Sequence, residues 1–240
     1  NQAQISSVST TGGKAGDATL TAEGTVSFDA SAIDARSYYA KGSGDSGSIL
    51  IRGGDDISFS GSGGLGTETW GSGKAGSVTL TSDKNISFGN EAFITSSARM
   101  GGGTGGNILL NAGGDISVTA REIARISGSS SLNTSALMAH ADAESAGNAG
   151  KITLSGGDIR VSDNGLISAQ TQGIGRGGDI ALSVRRLDVE GGGKIIADTH
   201  GGNDGGNLAV RAETSVSIAG TGSKFSAVAQ GGSGNAGDIE

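Results

Sequence analysis

The side chains best suited to grip another molecule are aromatic and few: Tyr38, Tyr39 and Trp70, followed along the chain by Arg99 and Met100. Exposed rings stack on sugar faces or anchor protein interfaces, and a cation or thioether beside them widens such a platform. The same rings, piled on one another in successive turns of a repeat, would instead stiffen a long turn. Other chemistry is poorly represented. There is no cysteine, and His140 and His200 each lack a second His or Cys at ligand spacing. No metal or cofactor site is therefore expected, and both histidines read as solvated loop residues. Glycine and aspartate recur, but not in the nonapeptide phrase Gly-Gly-x-Gly-x-Asp by which calcium-binding repeats share ions. Cleavage of polysaccharide would need paired carboxylates or bases on neighbouring strands. The single charged pair expected on the outward rows is Arg160 beside Asp188, read as an exposed ion pair. No catalytic residue, and no enzyme, is expected.

The backbone that must position these groups is dominated by glycine. The 240 residues include 47 glycines and only 3% aromatics, far from the composition of an ordinary mixed core. The lack of cysteine excludes disulfides and leaves the redox compartment open. A formal net charge of −7, with acids and bases interspersed, argues against nucleic acid, because phosphate-binding surfaces need clustered Lys and Arg. No apolar run approaches the ~18 to 20 residues needed to span a bilayer. The opening NQAQISSVST lacks the charged start and apolar stretch of a signal peptide. An excised or processed piece with no membrane span is expected.

A phrase of one small residue, then Gly, then a polar residue begins at Ala15, Ser46, Ala75, Gly105, Ala149, Gly177, Gly205 and Ala236, at spacings of 31, 29, 30, 44, 28, 28 and 31. Alternating apolar pairs follow each phrase at nearly constant offsets, the period-two signature of half-buried strands. A first row runs from Ala18/Leu20 through Ile49/Ile51, Val78/Leu80, Ile108/Leu110, Ile152/Leu154 and Ile180/Leu182 to Leu208/Val210. A second runs from Val26/Phe28 through Ile57/Phe59, Ile86/Phe88, Ile116/Val118, Ile159/Val161 and Leu187/Val189 to Val216/Ile218. A weaker third includes Ile33/Ala35, Leu65/Thr67, Ile94/Ser96, Ile167/Ala169, Ile195/Ala197 and Phe225/Ala227. A disordered glycine-rich tract would hold no such register.

Three short strands cannot bury their inward faces within one turn, so the turns must stack, each adding roughly 4.8 Å with equivalent strands paired in parallel. The expected fold is all-β: a right-handed parallel β-helix (β-solenoid) with three short strands, in three long sheets, per coil of about 30 residues. About eight coils should form one continuous segment over residues 1–240, uncapped at both ends. The absence of proline fits, since nearly every strand lies between two others and Pro would delete a ladder hydrogen bond. The glycines are expected to supply positive-φ turns, and the polar residue closing each phrase to occupy a structural corner. The unit over 105–148 holds about fourteen extra residues, expected to protrude as a loop within 121–144. In this frame Tyr39 and Trp70 both fall 24 residues into their units, Tyr38 one earlier, and Arg99 and Met100 at 24 and 25 in the next. They should lie above one another on the turn after the third strand.

The stretches NGLISAQTQGIGRGGDIAL, GGKIIADTHGGNDGGNLAV and GNAGDIE resemble the repeat region of filamentous-haemagglutinin-like exoproteins secreted by the two-partner pathway. The likeness covers essentially the whole chain. It implies a right-handed β-helix, export through a partner outer-membrane transporter, and location outside or on the surface of a Gram-negative-type bacterium. It also implies a structural or adhesive role in surface fibres. The family's secretion domain, with its Asn-Pro motifs, has no counterpart in this proline-free sequence, so an interior shaft segment is expected. Its partners would be a glycan or protein on a host or neighbouring cell, or copies of itself. A carbohydrate-binding solenoid using Tyr38, Tyr39 and Trp70 is the alternative, and a polysaccharide-active β-helix enzyme the third reading.

Overall fold

Every named strand pairing is parallel in the computed structural model, which describes residues 3–38, 44–120 and 135–240. The first-row strands pair Ala18 with Ile49, Ile49 with Val78, Val78 with Ile108, Ile108 with Ile152, Ile152 with Ile180 and Ile180 with Leu208, and an isolated bridge joins Leu208 to Ile239. These offsets are the spacings of the glycine phrase. The chain is a β-solenoid of about seven turns, roughly 30 residues each, and no helix occurs among the described residues.

The three rows do not form three sheets. Third-row strands make one eight-stranded sheet, from Gln4–Ser6 to Lys224–Ser226. The first and second rows belong together to a second sheet, because they fuse in the later coils into single strands, Ile152–Ser162, Ile180–Val189 and Leu208–Ile218. Local chemistry accounts for the change. In the earlier coils the corner is a turn of Gly, Asp, Lys and Asn, such as Gly54-Asp55-Asp56 or Asp83-Lys84-Asn85, whose polar side chains compete with the ladder for backbone amides. The coil of Ile180–Val189 carries Val184, Arg185 and Arg186 at this corner, and Val184 and Arg186 stay paired with Gly156 and Asp158, which keeps even the Gly156-Gly157-Asp158 corner of the coil before it in the ladder, while an irregularity falls between Val184 and Arg186 towards the coil after it.

Inward positions are sealed: Ile51, Ile57, Leu65, Leu80, Ile94, Leu154, Ile167 and Ile195 have no exposed surface. Phe28, Phe59 and Phe88 stack along the second row, with ring centroids 4.8 and 4.9 Å apart and planes 2° from parallel. Thr67 and Ser96 also point inward, and each hydroxyl donates to the Gly76 carbonyl, so their burial leaves no orphan.

The glycine of the repeated phrase has a reason other than positive φ. A Cβ on Gly47 would lie 2.0 Å from the carbonyl oxygen of Gly16, and the same clash recurs from Gly76 to Gly47 and from Gly206 to Gly178. Only a hydrogen fits between consecutive coils at this corner. Positive φ is instead found at other glycines, such as Gly61, Gly101 and Gly222. The polar residue after the phrase is a corner residue, as expected. Asp17 accepts from the Ser48 amide at 2.8 Å, Asn107 from Lys151 at 2.9 Å and Asp179 from Asn207 at 3.0 Å. That bond holds the Asp17 carboxyl below its ordinary range.

The long coil takes up its extra chain mainly in one place. Its pairing offset to the previous coil is 30 at Ile116↔Ile86, 43 at Ala136↔Phe93 and 44 beyond an irregularity between Ala98 and Met100. Most of the extra chain therefore lies between Thr119 and Ala136. Residues 121–134, on which the expected protrusion falls, are outside the described residues, whereas Ala136–Met138 and Ala141–Ser145 are strands of the solenoid and not parts of a loop.

Candidate functional site

Beyond each third-row strand the chain stays in register for several more residues. Isolated bridges link Ser9, Ser37, Thr69 and Ala98, and the next amide in each coil donates downward: Tyr38 to Ser9 O, Trp70 to Ser37 O and Arg99 to Thr69 O. Positions 38, 70 and 99 thus form one outward row, one residue per coil. The row continues through Asp142, Gln172, His200 and Gln230, set by the bridges from Ala141 to Thr171, Thr199 and Ala229.

The ring beside Trp70 is that of Tyr38, with centroids 5.7 Å apart and planes at 42°. Tyr39, expected above Trp70, lies outside the described residues. The shift has a local cause: Asp29↔Ser60 and Ala32↔Gly64 are both paired, so the second coil holds one more residue between its second and third strands than the first. That extra residue carries Tyr38 over Trp70. Arg99 follows in the same row, and half-buried Met100 sits one position past it.

A network of ions supports the rings. Arg36 donates to the Tyr38 hydroxyl at 3.0 Å and pairs with Asp34 at 3.0 Å and Glu68 at 3.4 Å. Arg99 binds the other oxygen of Glu68 through Nε at 3.0 Å and through a second, closer nitrogen, and reaches Asp142 at 2.8 Å. Thr95 donates to the same Glu68 oxygen. Glu68 points outward by strand parity yet is only 3% exposed, because the two guanidiniums cover it. Burial works against the charge of both arginines, but Glu68 and the neighbouring carboxylates more than offset it and hold both above the ordinary arginine value. Space for Arg36 comes from Gly66, where a Cβ would stand 2.4 Å from the guanidinium.

Farther along the row of Glu68, His140 is half-buried rather than solvated as its sequence context implied. Its Nε2 is 2.7 Å from the Ser168 hydroxyl, which donates its own proton to Gln170, so His140 is the donor. Desolvation lowers its pKa to about 4, with Arg99 acting in the same direction and Asp142 opposing. His200 is exposed, as expected. Arg160 and Asp188 are in register, but the guanidinium bonds Glu190 instead, while Arg185 reaches Asp158 at 2.7 Å. The longer Glu190 side chain meets the arginine fork where Asp188 does not.

Among the described residues no group of His, Asp, Glu or Cys is arranged to hold a metal ion. The carboxylates of Glu68 and Asp142 are both occupied by Arg99. Sequence reading missed Asp34, Arg36, Glu68 and Asp142. Continuing the period-two alternation past the third strand to positions 34, 36 and 38 would have exposed the first two. No protein family, curated protein or solved structure matches the chain.

Proposed function

We propose that the chain is a rigid shaft segment of a secreted or cell-surface fibrous exoprotein of the filamentous-haemagglutinin-like kind. It is exported through a partner outer-membrane transporter and spaces an adhesive element from a bacterial surface or packs with copies of itself. The observation that carries this reading is the unbroken in-register stacking from Ala18 to Ile239. Such an array conveys length and stiffness and has no need of a reaction centre. The sequence resemblance supports the export route and the extracellular location, and the absence of cysteine suits passage through a pore before folding.

A spacer tolerates the loss of a unit. Deleting residues 180–207 from the full-length protein joins Asp179 to Leu208 in register, because Ile180 and Leu208 are paired equivalents. The shortened protein should fold, reach the surface and support attachment as before. A folded, exported variant that no longer supports attachment, or a full-length protein that never leaves the cell, overturns the reading.

A further inference from the structure

We propose that Tyr38 and Trp70 form the head of a binding strip for a neutral glycan chain, laid parallel to the solenoid axis and continued by Arg99, Asp142, Gln172 and His200. Four observations lead there. The phenylalanine ladder shows the geometry that rings adopt in this protein when they pack on one another, with 2° between planes and centroids 4.8 to 4.9 Å apart. Tyr38 and Trp70 lie 42° apart at 5.7 Å, a tilted contact that leaves part of each face uncovered by the other, with Tyr38 40% exposed and Trp70 half-buried. A tilted pair of rings with one face open suits the faces of sugars.

The rings are also held at a cost that turn-making does not require. Their backbone is already fixed by the amide bonds to Ser9 and Ser37. Yet a buried carboxylate, two guanidiniums and the space left by Gly66 are arranged beneath to fix the Tyr38 hydroxyl, as preorganised sites demand. The Trp70 indole N–H has no acceptor among the described residues. A ligand hydroxyl would satisfy it if the ring turned outward, coupling binding to indole reorientation.

The rest of the row narrows the ligand class. From Arg99 onward every member is a planar group, one per coil at about 4.8 Å; Arg99 and Asp142 are partly engaged with each other, while Gln172 and His200 are exposed, so an extended polymer meets open hydrogen-bonding edges beyond the ion pair. The supporting ions, Asp34, Glu68 and Asp142 against Arg36 and Arg99, sum to a negative charge, which opposes nucleic acids and acidic polysaccharides. A protein partner would need an apolar interface core, and Tyr38 is the single large exposed apolar residue of this row among the described residues.

Trp70 is the only tryptophan, so indole emission reports on this site alone. The intact protein is titrated with hexasaccharides of glucose, mannose, galactose and N-acetylglucosamine, with heparin and polygalacturonate as the anionic arm. At least one neutral hexasaccharide should give a saturable change in emission, and Tyr38→Ala should weaken it about tenfold or more with the circular dichroism unchanged. Gln172→Ala, two coils beyond Arg99 in the row, should weaken it about threefold for the hexamer and leave a disaccharide unaffected. No neutral sugar binding, binding by polyanions alone, or a Tyr38→Ala protein of unchanged affinity overturns the proposal. The coil deletion described above removes His200, the far end of the strip, but leaves Tyr38, Trp70, Arg99, Asp142 and Gln172 in place, so the deletion reports on spacing and Tyr38→Ala on sugar binding.

Discussion

Two aromatic columns run along this solenoid and use the same device differently. Phe28, Phe59 and Phe88 point inward and stack face to face; Tyr38 and Trp70 point outward and meet at an angle, and Tyr38 rests on Arg36. Both columns arise because equivalent positions recur one coil apart. Strand parity decides what that recurrence becomes. Inside, rings confined by neighbouring coils minimise lost volume by lying parallel. Outside, the two rings meet at an angle, and the Tyr38 hydroxyl is held by Arg36. Recurrence alone thus does not make a ladder, and an exposed aromatic repeat is better judged by the angle between its rings than by its spacing.

The comparison is most severely tested by Phe59→Ala. Removing the middle of the inner ladder should cost about 3–5 kcal/mol, seen as a large fall in melting temperature and a lowered denaturant midpoint. A loss below about 1 kcal/mol would mean that the core does not depend on this stack. Acidification comes next. Neutral His140 is favoured by the fold, with a pKa of about 4 against an ordinary 6.5. Its contribution is complete above pH 6.5 and is lost as the pH falls towards 4, up to about 3 kcal/mol. The melting temperature of His140→Gln should vary less over that interval than that of the parent. Equal slopes would place the pH dependence elsewhere.

Glu68→Gln should cost about 2 kcal/mol, less than a fully buried ion pair because Arg99 is partly open to solvent. The larger effect should be a shift in Trp70 emission as Arg36 and Tyr38 lose their anchor. Unchanged emission would dissociate the ions from the platform. The smallest effect is expected of Trp70→Ala: no more than about 1 kcal/mol of stability, checked by thermal unfolding. A loss as large as that of Phe59→Ala would erase the distinction between the two columns.

Much of the inner column was legible in the sequence, because inward Ile, Leu, Val and Phe alternate with polar residues and the coil spacings reappear in the strand pairing. The outer column was only half legible. Tyr38, not Tyr39, meets Trp70 because Gly61-Ser62-Gly63 is one residue longer than Ala30-Ser31, and counting from a distant glycine cannot locate such a slip. Arg36, Glu68 and Asp142 carry no local motif. They become neighbours only across coils, 31 or more residues apart for the pairs to Arg99 and Arg36. The fusion of the first two rows was hidden for another reason: Val184-Arg185-Arg186 reads as a turn by position and as strand by composition, and pairing with Ile152–Ser162 decides it.

The corner bonds that Asp and Asn side chains accept from backbone amides of a neighbouring coil share one direction. Asp17, Asp45, Asp56, Asn85, Asn107, Asp115, Asn148, Asp179, Asp204 and Asn207 are acceptors in the earlier coil, and the amide donor always belongs to the later one. A completed coil therefore presents ready side-chain acceptors to the chain that follows it, whereas at these corners the later coil offers the one before only backbone groups, its amides to those side chains and carbonyls such as that of Asp45 to the Ala15 amide. A coil added on the C-terminal side thus meets side-chain acceptors already in place at each corner, whereas one added on the N-terminal side must bring them with it, like a zip with its teeth set one way.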